Sequence, residues 1–215
     1  MLVKTRRATE DDASFLGWAM YSAARSHLSE CPWSTILGEP EAETRNFLEH
    51  VSRSWTVHWC HTSTFWIAEV DGKPAATMSG YVPATEGAEV LAQTILKIAE
   101  SEFEFSKPRL CQIGENLRIA VSGLPGDLPE VWGIENVAVV PGFRGKGLVD
   151  CLFERVLDEG REKGFSRAQI LCLIGNLHAQ RAWERNGFDV FLQQTSSEFD
   201  GMFGTPGAKL LARDL

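Results

Sequence analysis

Between Asn136 and Leu148 the chain reads Asn-Val-Ala-Val-Val-Pro-Gly-Phe-Arg-Gly-Lys-Gly-Leu. An apolar run ends at Pro141-Gly142 and enters a turn holding Arg144, Gly145, Lys146 and Gly147, and a helical pattern opens at Leu148. Peptide N–H groups at such a junction point at one spot, and the first turn of a helix adds positive potential. Gly145 and Gly147 let the backbone approach an anion closely. The chemistry suits a phosphate or pyrophosphate. The turn fits neither the Walker A pattern nor GxGxxG, and many glycine-rich turns only join a strand to a helix. A second segment, Asn176-x-x-Ala179-x-x-Ala182-Trp183-x-x-x-Gly187-Phe188, follows the next strand.

The surrounding pattern predicts the elements that hold these residues. Residues 2–7 alternate as a strand, and Thr9-Glu10-Asp11-Asp12 starts a helix running to about His27. Residues 29–41, with two prolines and a glycine, read as a loop, and 41–54 as a second helix. Residues 64–70 and 75–82 form a hairpin about Asp71-Gly72. The stretch 83–129 stands apart as a mainly helical insert: a helix over 88–105, a shorter one over 111–121, then a break at 123–127. From Val131 the order is strand (131–140), helix (148–163), strand (168–174), helix (177–185), strand (188–194), with a last strand near 209–213. This alternation predicts an α/β layer architecture.

The 215 residues suit one domain, 1–215, large enough to bury a core without disulfides or metal. A net charge of −8 argues against a nucleic-acid backbone or an anionic membrane as main partner, and is compatible with a cationic amine. Five scattered cysteines with no CxxC spacing predict a reducing compartment, the cytoplasm. His58, Cys60 and His61 are spaced like metal ligands, but no second cluster completes a set, so no metal is expected. No apolar leader or membrane-spanning run is evident. The tryptophans read as core residues, with Trp33 or Trp132 able to line a pocket.

Together the two glycine-bearing segments resemble the GCN5-related N-acetyltransferase (GNAT) superfamily. Val137-x-Val139-x-Pro141 and Arg144-x-x-Gly147 match its cofactor strand and pyrophosphate loop. Asn176 to Phe188 matches its following helix. Arg6 to Ala13 resembles its first strand and helix start, and the convincing match covers about residues 131–190. The resemblance implies a mixed, mostly antiparallel sheet splayed at the cofactor strand, with helices on both faces. It implies acetyl transfer from acetyl-CoA, as co-substrate, to a primary amine of a small molecule or peptide. Val137, Ala138 and Val139 would meet the pantetheine arm. The amides of Arg144, Gly145, Lys146, Gly147, Leu148 and Val149 would hold the pyrophosphate. Asn176 and Ala179 would line the other wall, and an amide near Val139 would stabilise the oxyanion.

Two residues depart from the family's pattern. Val149 stands where Gly or Ala is usual, and can crowd the phosphate or point away from it. Trp183 stands at the position of the tyrosine assigned to protonate the leaving thiolate; an indole N–H donates a hydrogen bond but is no acid. Trp183 then either contributes to catalysis or only packs against the sheet, and water or His178 could supply the proton. For the base, Glu135 is the candidate, sharing by alternation a face with Val137 and Val139. The other reading is a solvated, inert charge at a strand entrance, and Glu130 is the second choice. The insert either helps form the acceptor pocket or faces outward, and a homodimer stays open. A non-catalytic CoA-binding module and an unrelated nucleotide binder are the competing functions.

Overall fold

The hairpin expected at Asp71-Gly72 forms in the computed structural model, which describes residues 2–215. Both turn residues lie at positive φ, 50° and 79°, the hand that matches the twist of paired strands. The turn joins β2 (Phe65–Val70) to β3 (Lys73–Tyr81). The other strands are β1 (Val3–Arg7), β4 (Trp132–Val139), β5 (Arg167–Leu173), β6 (Asp189–Thr195) and β7 (Gly207–Asp214). They form one seven-stranded sheet in the order β1-β2-β3-β4-β5-β7-β6. Every neighbouring pair is antiparallel except β4 with β5.

Each face of the sheet carries its own apolar core. On one side α1 (Ala13–Arg25) and α3 (Glu41–Ser52) bury Leu16, Met20, Phe47 and Leu48 against Phe65 and Ile67. On the other, α7 (Leu148–Glu162) buries Leu152, Phe153, Val156 and Leu157 against Ala76, Met78 and Ile134, with Trp183 of α8 (Leu177–Arg185) in the same cluster. Trp132 belongs to this core, with Lys163 Nζ over its ring at 4.7 Å. It is fully buried, its indole N–H donates to the Val156 carbonyl at 2.9 Å, and its ring fills the space over Gly80. Trp33 packs half-buried on the α1 side.

The insert comprises α4 (Pro83–Glu86), α5 (Ala88–Ser101) and α6 (Lys107–Ser122). Its helices are part of the α1-side core: Leu91, Ile95, Ile98 and Ala99 of α5 and Ile113 and Leu117 of α6 are buried there. Within the stretch expected to be loop, α2 (Pro32–Leu37) forms a short helix. Proline is tolerated in a first turn, where its missing N–H has no partner to lose, and Gly38 closes the helix at φ 68°. A last helix, α9 (Ser197–Phe203), also escaped the pattern. It is capped by the Ser196 side chain and buries Phe199 and Phe203, one turn apart, with Phe199 resting on Gly123.

Candidate functional site

The cofactor strand and its parallel neighbour separate. β4 and β5 pair only at Trp132–Ala168, Gly133–Gln169 and Ile134–Ile170. Beyond that, β4 stays with β3 as far as Val139 and β5 stays with β7 as far as Leu173, so two strand edges diverge around a wedge-shaped gap. Backbone groups facing such a gap require partners from elsewhere.

A β-bulge sits at the apex. Thr77 pairs with Ala138 but Ser79 pairs with Glu135, so two steps on β3 match three on β4. Asn136 absorbs the extra residue at φ 53°, a conformation asparagine tolerates. Its side-chain amide donates to the Trp59 carbonyl (3.0 Å) and Ser79 Oγ (3.2 Å), and Thr77 Oγ1 donates to its carbonyl (3.0 Å). The bulge overturns the strand alternation expected for Glu135. Cross-strand partners share a face, so Glu135 and Ala138 lie on the face of Thr77 and Ser79, while Val137 and Val139 pack into the α7-side core. Glu135 therefore faces the α1 side, away from Val137 and Val139.

Glu135 is half-buried and forms no ion pair among the described residues. Burial first, then the charge of Asp127, push its carboxyl up to about 8; the backbone N–H groups of Leu171 and Asn136 act the other way. Glu135 follows Ile134, the last β4 residue paired with β5, and so stands at the opening of the gap. Its half-buried setting differs from the solvated strand entrance of the alternative reading. Glu130 lies exposed before β4, beside Lys163 and Ser166 rather than at the gap.

The segment with metal-like spacing supports this bulge. The His58 ring nitrogens are both engaged: Nδ1 accepts from the Cys60 N–H (3.1 Å) and Nε2 meets Ser54 Oγ (3.0 Å). His58 is fully buried, and burial, aided by His61, lowers its pKa to about 4. Between pH 4 and 6.5 the unfolded chain then binds the proton that the folded chain refuses, so stability rises with pH across that window and is lost as pH falls through it. The full shift is worth about 3 kcal/mol. Chemical denaturation of wild type and His58→Gln at pH 4 and pH 7 should give a difference that shrinks at pH 4. A difference independent of pH would rule this linkage out.

At the far end of β4 the chain meets the glycine-rich turn. Gly145 and Gly147 stand at φ 72° and 74°, with open space where a Cβ would be. Arg144 and Lys146 are exposed and make no ion pair among the described residues; Lys146 lies over the Phe143 ring at 4.8 Å. The amides of Gly145, Lys146, Gly147 and Leu148 meet no backbone carbonyl among the described residues. Two exposed cations and a run of unpaired amides give this turn a local positive potential on a chain of net charge −8. Leu148 is buried, and Val149 turns its β-branched side chain into the α7-side core, leaving the amide side open.

The wall across the gap is α8. Asn176 caps it, Oδ1 accepting from the Ala179 N–H (3.0 Å), while Nδ2 donates to Ser26 Oγ at the end of α1. His27 stands beside Gly175, so the end of α1 is drawn against the β5–α8 turn. Ala179 packs half-buried on the α7 side. Trp183 is buried edge-on against Phe153 (5.5 Å), and its indole N–H is the one buried side-chain polar atom among the described residues without a hydrogen-bond partner. A buried unsatisfied donor is costly unless a ligand completes it. The free amides at one end of the gap fit an elongated, anionic molecule such as acetyl-CoA, while the Trp183 N–H lies unpartnered within the α7-side core.

Two further polar groups near Glu135 carried no sequence motif. Tyr81 is 1% exposed, and its Cζ stands 2.5 Å from where a Gly133 Cβ would be, so the ring crosses β4 in the space that glycine leaves. Asp127, in the loop leaving the insert, accepts from Gln169 Nε2, and Gln169 Oε1 accepts from the Leu128 N–H (2.9 Å). The available signal was Gly133 itself, since a glycine inside a strand marks close approach by another group.

Comparison with known proteins agrees with this geometry. A sequence profile described as the acetyltransferase (GNAT) family matches residues 33–188. No curated protein sequence matches the chain. Among solved structures, one described as an acetyltransferase superposes with TM-score 0.70 at 15% identity, covering 98% of both chains. An N-acetyltransferase from Staphylococcus aureus Mu50 gives 0.66 at 16% identity, covering 98% of this chain and 100% of the other. N-acetylglutamate synthase from Neisseria gonorrhoeae, complexed with coenzyme A and N-acetyl-glutamate, gives 0.53 at 16% identity, over 100% of this chain and 35% of its own. The profile spans most of the chain and the splayed, mostly antiparallel sheet is shared, so the protein belongs to the GNAT acetyltransferase family.

Proposed function

We propose that the protein is an N-acetyltransferase that moves an acetyl group from acetyl-CoA to a primary amine of a small molecule or peptide. The observation that carries this reading is the placement of Glu135. The bulge turns its carboxylate to the α1 side, at the mouth of the gap, half-buried and without a counter-cation. A neighbour in the same fold bound to coenzyme A supports the choice of acyl donor.

In this reading Arg144, Lys146 and the amides of residues 145–149 hold the diphosphate, and the free edge of β4 from Val137 to Val139 aligns the arm that follows. Acetyl-CoA supplies the activated thioester. Glu135 takes one proton from the acceptor ammonium, which frees the nitrogen lone pair. The C–N bond forms as the C–S bond breaks, with a backbone N–H near Val139 stabilising the negative carbonyl oxygen. The second proton lost by nitrogen goes to the departing sulfur or to solvent. A thiol of pKa about 8.5 leaves without full protonation, so a tryptophan at position 183 is compatible with turnover. Its indole N–H is a hydrogen-bond donor for the acyl or sulfur end of the donor.

Free-thiol release from acetyl-CoA, measured with a panel of primary amines, tests the proposal. Amine-dependent release is the expected result. Calorimetric binding of acetyl-CoA with no release for any amine would instead establish the non-catalytic binding module that Trp183 and Val149 suggest.

A further inference from the structure

The insert reaches the face of Gly133 and Glu135 through its exit loop as well as through α4, whose Pro83 lies against Gly133. The Gly123 carbonyl accepts from the Ala208 N–H, and Ala208 pairs with Leu173 at the end of β5. Five residues later the Leu128 N–H is bonded to the Gln169 side chain, where β5 still pairs with β4. The loop therefore runs along β5 on the face of Gly133 and Glu135, and sets the Asp127 carboxylate on Gln169. As a residue Asp127 is exposed, so solvent reaches it, while its carboxylate turns inward; burial raises its pKa and the Gln169 hydrogen bond lowers it. Neither Asp127 nor Glu135 has a cationic partner among the described residues.

An independent observation points to a ligand here. Tyr81 is 1% exposed, and its hydroxyl, which keeps a little solvent contact, makes no hydrogen bond to any described residue. Its hydroxyl-bearing carbon sits over Gly133, whose partner across β4–β5 is Gln169, so the hydroxyl extends toward the Asp127–Gln169 pair. Burial, then the charges of Glu135 and Asp127, hold Tyr81 well above its usual range, which keeps it neutral. Two carboxylates with no ion-pair partner among the described residues and an unpartnered hydroxyl thus lie close together on one face at the mouth of the gap.

We propose that this space recognises a second cationic group of the acceptor: Asp127 and the Tyr81 hydroxyl hold one ammonium while Glu135 faces the other, so the substrate is a short diamine or a similarly dicationic amine. The inference rests on the acetyltransfer reading above. Gly133 and Glu135 are two residues apart on one strand, which sets the two positions about 7 Å apart, the span of a short alkyl diamine.

The test compares 1,4-diaminobutane with butylamine as acceptors for wild type and Asp127→Asn. Charged hydrogen bonds are worth about 1.5–3 kcal/mol, so kcat/KM should favour the diamine by about 10- to 100-fold. Asp127→Asn should bring the diamine-to-butylamine ratio of kcat/KM close to unity, with the loss carried by KM for the diamine; removing the charge that raises the Glu135 pKa acts on both amines alike and leaves the ratio as the readout. Calorimetry without acetyl-CoA should show the same loss of diamine affinity. Tyr81→Phe gives the same comparison should Asp127→Asn fail to fold. Equal use of both amines by the wild type, or equal slowing of both by Asp127→Asn, overturns the inference while thiol release with butylamine keeps the acetyltransferase reading. If no amine releases thiol, that reading fails alone, and the calorimetric comparison still decides diamine recognition.

Discussion

Glu135→Gln should lower kcat/KM for amine acetylation by about 10²- to 10⁴-fold while leaving affinity for acetyl-CoA within a few-fold. The glutamine keeps the shape of the side chain and removes only its capacity to take a proton. The pH profile separates this role from a structural one. With its carboxyl pushed to about 8, Glu135 is mostly protonated at neutral pH, so wild-type kcat/KM should climb tenfold per pH unit and level off near pH 8. Glu135→Gln should lack that limb. An acceptor whose own amine ionises well away from pH 8 keeps the two titrations distinct. The variant should also fold well. A carboxyl with a raised folded-state pKa binds its proton more tightly in the folded chain, so ionising it lowers stability as pH rises from 4.5 to 8, and glutamine has no such penalty. Full activity in Glu135→Gln, or an unchanged limb, would remove Glu135 from the chemistry.

Disabling the glycine-rich turn should have the second largest effect, on binding. Gly147 stands at φ 74° with nothing within 4 Å of the position a Cβ would take, so valine there meets no clash but must adopt a conformation β-branched residues avoid. Strain of about 1–3 kcal/mol would be relieved by rotating the backbone, which turns the amides away from their common focus. Coenzyme A affinity by calorimetry should fall about 10- to 100-fold. Arg144→Glu reaches the same site without touching the backbone. Arg144 is exposed and has no ion pair among the described residues, so reversing its charge should leave the melting temperature unchanged and weaken binding about 10-fold or more, through loss of a charge-assisted contact. The loss should be larger at low ionic strength, because exposed charges are screened by salt. Unchanged coenzyme A affinity in both variants would mean that the loop does not hold the diphosphate.

The residues around the turn and the helix after β5 were legible because they act through local backbone geometry. A strand, two glycines and a helix start within a dozen residues create the amide cradle wherever the segment is placed, and the hairpin at Asp71-Gly72 is equally local. Local pattern was least informative where packing decided. α2 and α9 are short helices that few residues specify, and they persist because Ile36, Leu37, Phe199 and Phe203 are buried by the insert and the α1 side.

By itself, then, the sequence determined the layer order, the glycine-rich turn between β4 and α7, and the helix that follows Asn176. Only the tertiary structure decided which way Glu135 faces. Strand alternation has a period of two, so one inserted residue at Asn136 reverses every assignment on one side of it, and that insertion is stabilised by the Trp59 carbonyl and Ser79, far away in the chain. The company Glu135 keeps was decided in the same way. Tyr81, Asp127 and Gln169 meet through strand register and the course of one loop, contacts between distant segments that no local spacing encodes.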